Sequence, residues 1–104
     1  MESATWGTIN ALVQWLDRND ANPPDVVRLL RVLKVQEETG EVAEAVHGAM
    51  GSNPRKGASH TWTDVEKELC DVILTAMVAL ATLNPDADKV FRDHLDHVAT
   101  RSLN

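Results

Sequence analysis

Apolar residues recur along this chain at steps of three and four, the spacing of helical faces, and no alternating run of β-branched and aromatic residues reads as a strand. Trp6, Ile9, Leu12, Val13 and Leu16 share one face and predict a first helix over about residues 5–19. Asn19-Asp20-Ala21-Asn22 reads as a loop. Asn22-Pro23-Pro24-Asp25 then reads as a cap, two prolines in a first turn that lacks N–H partners anyway, and an acid facing the helix dipole. The second helix is predicted from about Pro23 to Gly48, with the glycine as its stop. Residues 48–60 hold Gly48, Gly51, Ser52, Asn53, Pro54 and Gly57 and form the clearest loop. Thr63-Asp64-Val65-Glu66 spells a capping box, with Trp62 before it as a staple, and opens a third helix running to about Leu83. Asn84-Pro85-Asp86 repeats the cap-then-proline signature and opens a fourth helix to about Leu103. The expected fold class is all-α, a single compact four-helix bundle.

The third helix adds a constraint. Val72, Ile73, Leu74, Met77, Val78, Leu80 and Leu83 leave it almost no polar face, and a small monomer can hardly bury a helix on every side. A homo-oligomer, dimer or tetramer, with this helix near the subunit interface is therefore expected. At 104 residues the chain suits one domain over residues 1–104. Its 43% hydrophobic and 25% charged content is that of an ordinary globular protein, which excludes disordered and collagenous classes. No apolar run reaches the ~20 residues of a membrane span. Met1-Glu2-Ser3 is not the basic-then-apolar opening of an export segment, and the lone Cys70 has no internal disulfide partner, so a cytoplasmic location is expected. The net charge of −6 argues against binding a nucleic-acid polymer, but a bound divalent cation reverses the local sign and admits a small phosphorylated ligand.

Acids occupy positions where apolar residues are expected. Glu38 and Glu41 lie one turn apart on the second helix, on a face shared with Val35, Val42 and Ala45, with Glu37 at its edge. Glu68 and Asp71 repeat the spacing on the third helix beside Leu74, Thr75 and Val78. Two carboxylate pairs on the inward faces of neighbouring helices converge. Their mutual repulsion and desolvation then require either protonation or cations among them. An all-oxygen site without paired cysteines suits Mg²⁺ or Mn²⁺ rather than zinc. Glu44, Glu66 and Asp64 read as surface or cap residues. The competing reading makes all these acids a solvated face paired with Arg31, Lys34 or Lys67.

The segment Lys34-Val35-Gln36-Glu37-Glu38-Thr39-Gly40-Glu41-Val42-Ala43-Glu44-Ala45 resembles the Glu-Glu-x-x-Glu motif of the MazG-like, all-α nucleoside triphosphate pyrophosphohydrolases. Glu68-Leu69-Cys70-Asp71 resembles their second motif, Glu-x-x-Asp, and the 26 residues between Glu41 and Glu68 fit the family's spacing. The resemblance covers roughly residues 25–101 and rests on the two motifs in order, since either alone is common on helices. It implies Mg²⁺-dependent hydrolysis of a nucleoside triphosphate to the monophosphate and pyrophosphate, as nucleotide-pool housekeeping. It implies Glu38, Glu41, Glu68 and Asp71 as metal ligands, and Glu37 and Glu38 as the catalytic acids, with Glu37 holding or activating the attacking water. Arg55 and Lys56, in a basic loop before the third helix, are the first candidates for phosphate contacts. Arg101 resembles a basic position used near the phosphates, and Lys34 either reaches a phosphate or balances the acids. The fourth helix departs from the family by its mixed charge, Asp93-His94-Leu95-Asp96-His97. Trp6 and Trp15 offer a base-stacking surface, but a tryptophan on the apolar stripe of the first helix is more often core, so both are assigned to the core and left out of the site.

Two rivals come from other classes. Glu44-Ala45-Val46-His47 spells the Glu-x-x-His of di-iron or di-manganese bundles, but that fold needs a second copy of the motif, and Glu44 points about 120° from Glu38. His94 and His97 have no further ligands beside them. The other rival is a non-catalytic helical module that binds metal or nucleotide; a full set of buried acids is more than a scaffold requires.

Overall fold

A computed structural model describes residues 2–103; Met1, read above as part of a non-exported start, lies outside them. The described residues form four helices and no strand: α1 (Ser3–Arg18), α2 (Pro24–Met50), α3 (Trp62–Leu83) and α4 (Ala87–Leu103). The all-α expectation holds. The helix ends differ from the expected ones for local reasons.

Asn22 does not cap α2. Pro23 is the extended residue before the helix and Pro24 opens it, without a side-chain cap. Two consecutive prolines remove two of the N–H groups a cap would serve. At the other end α2 runs past Gly48 to Met50. Gly51 takes φ 63°, and the Gly51 and Ser52 N–H groups donate to the Gly48 and His47 carbonyls at 3.3 and 3.1 Å, a Schellman closure. The α3 box forms two residues earlier than expected, at Thr61 rather than Thr63. Thr61 Oγ1 accepts from the Asp64 N–H at 3.2 Å, and Asp64 Oδ2 accepts from the Thr61 N–H at 2.9 Å. Trp62 thus becomes the first helical residue and stays exposed rather than stapling. Before α4, Asn84 Oδ1 accepts from the Asp86 N–H at 2.8 Å, and this turn delays the helix to Ala87.

An antiparallel α2–α3 pair is the spine. α1 and α4 both dock on α3, so α2 is backed mainly by α3. Trp6, Ile9, Met77 and Ala87 form the core where α1, α3 and α4 meet, with Val13, Val78 and Phe91 packed against them. The Trp6 and Phe91 rings sit 6.3 Å apart, tilted by 51°. Trp15, assigned to the core above, is instead 54% exposed, because nine residues of helix turn it 180° away from the buried Trp6. The expected compactness is also corrected. α4 leaves α3 at 116°, and the molecule measures 47 × 46 × 22 Å with a radius of gyration of 16.6 Å, against about 13 Å for a compact domain of this length. The bundle is open, one thin slab of helices.

Candidate metal centre

Along α2 the residues Arg31, Lys34, Glu38, Glu41, Ala45 and Gly48 recur at three- and four-residue steps and follow the seam with α3. Because α3 runs back antiparallel, its first turns meet the second half of α2. That register brings Glu68 to Glu38 and Glu41, and one carboxylate oxygen from each lies within 4.8 Å of the other two. Glu38 is the most enclosed, its side chain only 13% exposed, while Glu41 faces solvent. Glu68 is half-buried, and its Oε2 is sealed from water without a hydrogen-bond partner.

Electrostatics follow from this crowding. Desolvation, then the charge and hydrogen bonding of Glu41, hold the Glu38 carboxyl above its ordinary value; Lys34 opposes the rise and Asp71 adds to it. Glu68 is raised by the same two causes, again with a contribution from Asp71, while His60 opposes. Lys34 Nζ stands 3.7 Å from Glu37 Oε2 and 3.9 Å from Glu38 Oε1, an exposed cation at the rim.

Three of the four carboxylates expected as ligands converge, Glu38, Glu41 and Glu68. Asp71 is felt electrostatically by Glu38 and Glu68, yet it lies outside the convergent group and is exposed. Asp71 follows Glu68 by three residues, the same spacing that joins Glu38 and Glu41 on α2. Its side chain is one methylene shorter than glutamate and does not enter the group. Glu37 is exposed beside Lys34.

The basic residues are not gathered here. Arg55 and Lys56 lie in the α2–α3 loop, where their N–H groups donate to Asn53 Oδ1 at 2.9 and 3.4 Å and their side chains are exposed. That loop begins at Gly51, ten residues or ~15 Å past Glu41 along α2. Arg101 is exposed in the last turn of α4, which leaves α3 from the end opposite that loop. Glu44 and His47 are exposed too, with His47 Nδ1 2.9 Å from Ser52 Oγ, so the di-iron motif does not join the cluster. His94 and His97, with ring centroids 6.1 Å apart, gather no third ligand among the described residues.

Two features escaped the sequence. His60 packs against Gly48: a Cβ at that glycine would come within 2.7 Å of both the His60 ring carbon Cγ and Ser59 Oγ. Gly48 therefore serves the approach of the α3 lead-in, not helix termination. The only signal was a glycine inside an otherwise regular helical pattern. The second is a groove of 410 Å³ between α1, α2 and α3, lined by Leu12, Trp15, Leu30, Arg31, Lys34 and Leu74. Lys34 belongs to both the groove and the rim of the acidic cluster. At its edge Arg31, the one buried charged side chain among the described residues, donates to Thr82 Oγ1 at 3.0 Å and pairs with Asp17 Oδ1 at 2.8 Å.

Comparison of the chain with protein-family models, with curated proteins and with solved structures gives no match in any of the three.

Proposed function

We propose that the chain is a Mg²⁺-dependent nucleoside triphosphate pyrophosphohydrolase, cleaving a ribo- or deoxyribonucleoside triphosphate to the monophosphate and pyrophosphate as a cytoplasmic homo-oligomer. The observation that carries the reading is the convergence of Glu38, Glu41 and Glu68, one of which, Glu68, has a buried Oε2 without a hydrogen-bond partner. A sealed carboxylate oxygen with no donor is costly unless protonated or supplied with a cation, and three oxygen donors this close suit a hard divalent ion. The residues fit Mg²⁺, with Mn²⁺ as a substitute, held by these three glutamates. Asp71, contributing charge from outside the group, stands as an outer partner.

When bound, the ion supplies charge neutralisation for the triphosphate, an activated water and stabilisation of departing pyrophosphate. The chain's own residues do the rest. Glu37, exposed beside the cluster, accepts a proton from the attacking water, whose oxygen bonds to the α-phosphorus as the α–β anhydride bond breaks. Lys34, shared between Glu37 and Glu38 in the free protein, turns to the phosphates. The groove next to Lys34 has the volume and apolar walls for a sugar and base, with Trp15 as a stacking surface, a role for a residue otherwise assigned to the core.

A second reading, a non-catalytic metal- or nucleotide-binding module, is favoured by one observation: Arg55, Lys56 and Arg101 are not at the cluster. The test is pyrophosphate release from a panel of canonical and modified triphosphates with Mg²⁺, with Mn²⁺ and with chelator. Metal-dependent pyrophosphate and monophosphate release is expected. Orthophosphate release would move the cleaved bond and overturn the mechanism, and metal binding without turnover of any triphosphate would select the second reading.

A further inference from the structure

The sixteen acids of the chain all lie outside residues 45–63, a stretch that holds His47, Arg55, Lys56 and His60. This acid-free stretch ends α2, forms the loop and leads into α3, so it closes the α2–α3 seam on one side of the three glutamates. The groove with Trp15 and Lys34 lies on the other side of them. Along α2 the order is Leu30, Arg31 and Lys34 at the groove, then Glu38 and Glu41, then Ala45 and Gly48. Gly48 is seven residues or ~10 Å past Glu41. Ala45 is buried and Gly48 has no side chain, so α2 places nothing bulky between the acids and the loop.

His60 fills the space at Gly48, with its ring Cγ 2.7 Å from where a Cβ of that residue would stand. It is half-buried at the seam, whereas Arg55 and Lys56 are exposed on the loop. Its Nδ1 is 2.9 Å from Ser59 Oγ, and Nε2 makes no hydrogen bond among the described residues. With the serine hydroxyl donating to Nδ1, the ring proton sits on Nε2, and the neutral imidazole offers one N–H donor. The ring stands near enough to α3 that its charged form lowers both Asp64 and Glu68. Asp64 does not compete for that donor, because its Oδ2 is occupied by the Thr61 N–H at 2.9 Å and the Thr61 hydroxyl at 3.2 Å.

We infer that His60 holds the far end of the substrate, Nε2–H donating to an oxygen of the terminal phosphate, and so selects a triphosphate over a diphosphate. The inference rests on the hydrolase reading and deepens it. A nucleoside in the groove puts its α-phosphate at the glutamates, and the two phosphates that leave continue along the seam toward His60. A neutral donor grips them less tightly than a charged one, which suits a group released at every turnover.

Calorimetry of inorganic pyrophosphate with the Mg²⁺-loaded full chain reads this contact without turnover. Wild type is expected to bind it, and His60→Asn, too short to place a donor there, to bind at least about tenfold more weakly. His60→Gln, which restores an N–H near the Nε2 position, recovers most of the affinity, and His94→Ala on α4 leaves it unchanged. Binding of a nucleoside monophosphate stays the same in all three. With nucleotides, His60→Asn raises KM for triphosphates and shrinks their advantage over diphosphates by the same factor. Should His60→Asn lose its helical circular dichroism, the ring ¹⁵N resonance of His60 in wild type decides: it shifts on adding pyrophosphate, and its silence overturns the inference. Equal pyrophosphate affinity in wild type and His60→Asn overturns it as well, as does a wild type that binds none. A wild type that turns over no triphosphate, yet binds pyrophosphate through His60, overturns the hydrolase reading and leaves the contact standing.

Discussion

A carboxylate oxygen that meets neither water nor a donor, as Glu68 Oε2 does, ties the chain's protonation to its fold. Glu38 and Glu68 both sit above the ordinary 4.5, so the folded chain holds these protons more tightly than the unfolded chain. Their contribution to stability is full below that value and declines as pH rises through the raised ones. Thermal unfolding in chelator is therefore expected to show falling stability from mildly acid to neutral pH. Mg²⁺, which binds the deprotonated forms, is expected to reverse the trend. Asp64 and Asp93, both lowered from 3.8, act in a separate window: their stabilisation is lost as pH falls below that value. A chelated protein whose stability climbs toward neutrality would contradict the assignment. At the same scale, Glu38→Gln and Glu68→Gln are expected to abolish Mg²⁺ binding, read by calorimetry, with helix content unchanged. Asp71→Asn is expected to weaken binding roughly tenfold without abolishing it, the size of an outer-partner effect. The helical spacing was enough to place Glu38, Glu41 and Glu68 together, since period alone decides which face a residue takes. It could not separate Glu68 from Asp71, because Glu68/Asp71 and Glu38/Glu41 have the same spacing and only the reach of the side chain differs.

At the level of elements, the α2–α3 pair depends on a contact that no periodicity reveals. Gly48→Ala places a methyl group against the root of the His60 ring, which cannot swing aside as a flexible chain end would, and is expected to cost about 1–3 kcal/mol in urea unfolding. Restored stability in Gly48→Ala/His60→Ala would tie the loss to that contact rather than to helix propensity, since alanine is the better helix former. The number and order of helices were legible because apolar stripes, prolines and caps agree along the whole chain. Their ends were less so, since competing local signals coexist. Thr61 and Thr63 each stand three residues before an acid, and only Thr61 closes a box.

For the whole molecule, an ion pair between Asp17 and Arg31 fastens the end of α1 to α2, beyond the core that α1 shares with α3. Arg31 is nine-tenths buried with Nη2 unpartnered, whereas Asp17 is 58% exposed. Removing the acid strands a buried guanidinium, while removing the base leaves an acid that water accommodates. Asp17→Ala is therefore expected to destabilise more than Arg31→Met, by at least about 1 kcal/mol in thermal unfolding. The reverse order would mean that the packing of the arginine stem outweighs its charge. None of this was legible from the chain, because Arg31 and Thr82 are 51 residues apart and no local pattern announces such a bond. The open shape was hidden for the same reason: amphipathic stripes say which side of a helix is dry, not how far the helices close around one another.

Arg31 and Gly48 also bracket the three glutamates. They lie seventeen residues apart on α2, ~25 Å of helix, each fastening it to the α3 side, through Thr82 at one end and His60 at the other. Between those fastenings Ala45 is buried and Val35 and Val42 are half-buried, so α2 is held along its length as well as at its ends. The gap between the carboxylates is then set by the packing of two helices and only secondarily by the acids themselves. On the proposed metal reading, an ion too wide for that gap would have to part the helices to enter, and selection by ionic radius would be lodged in contacts that touch no ion.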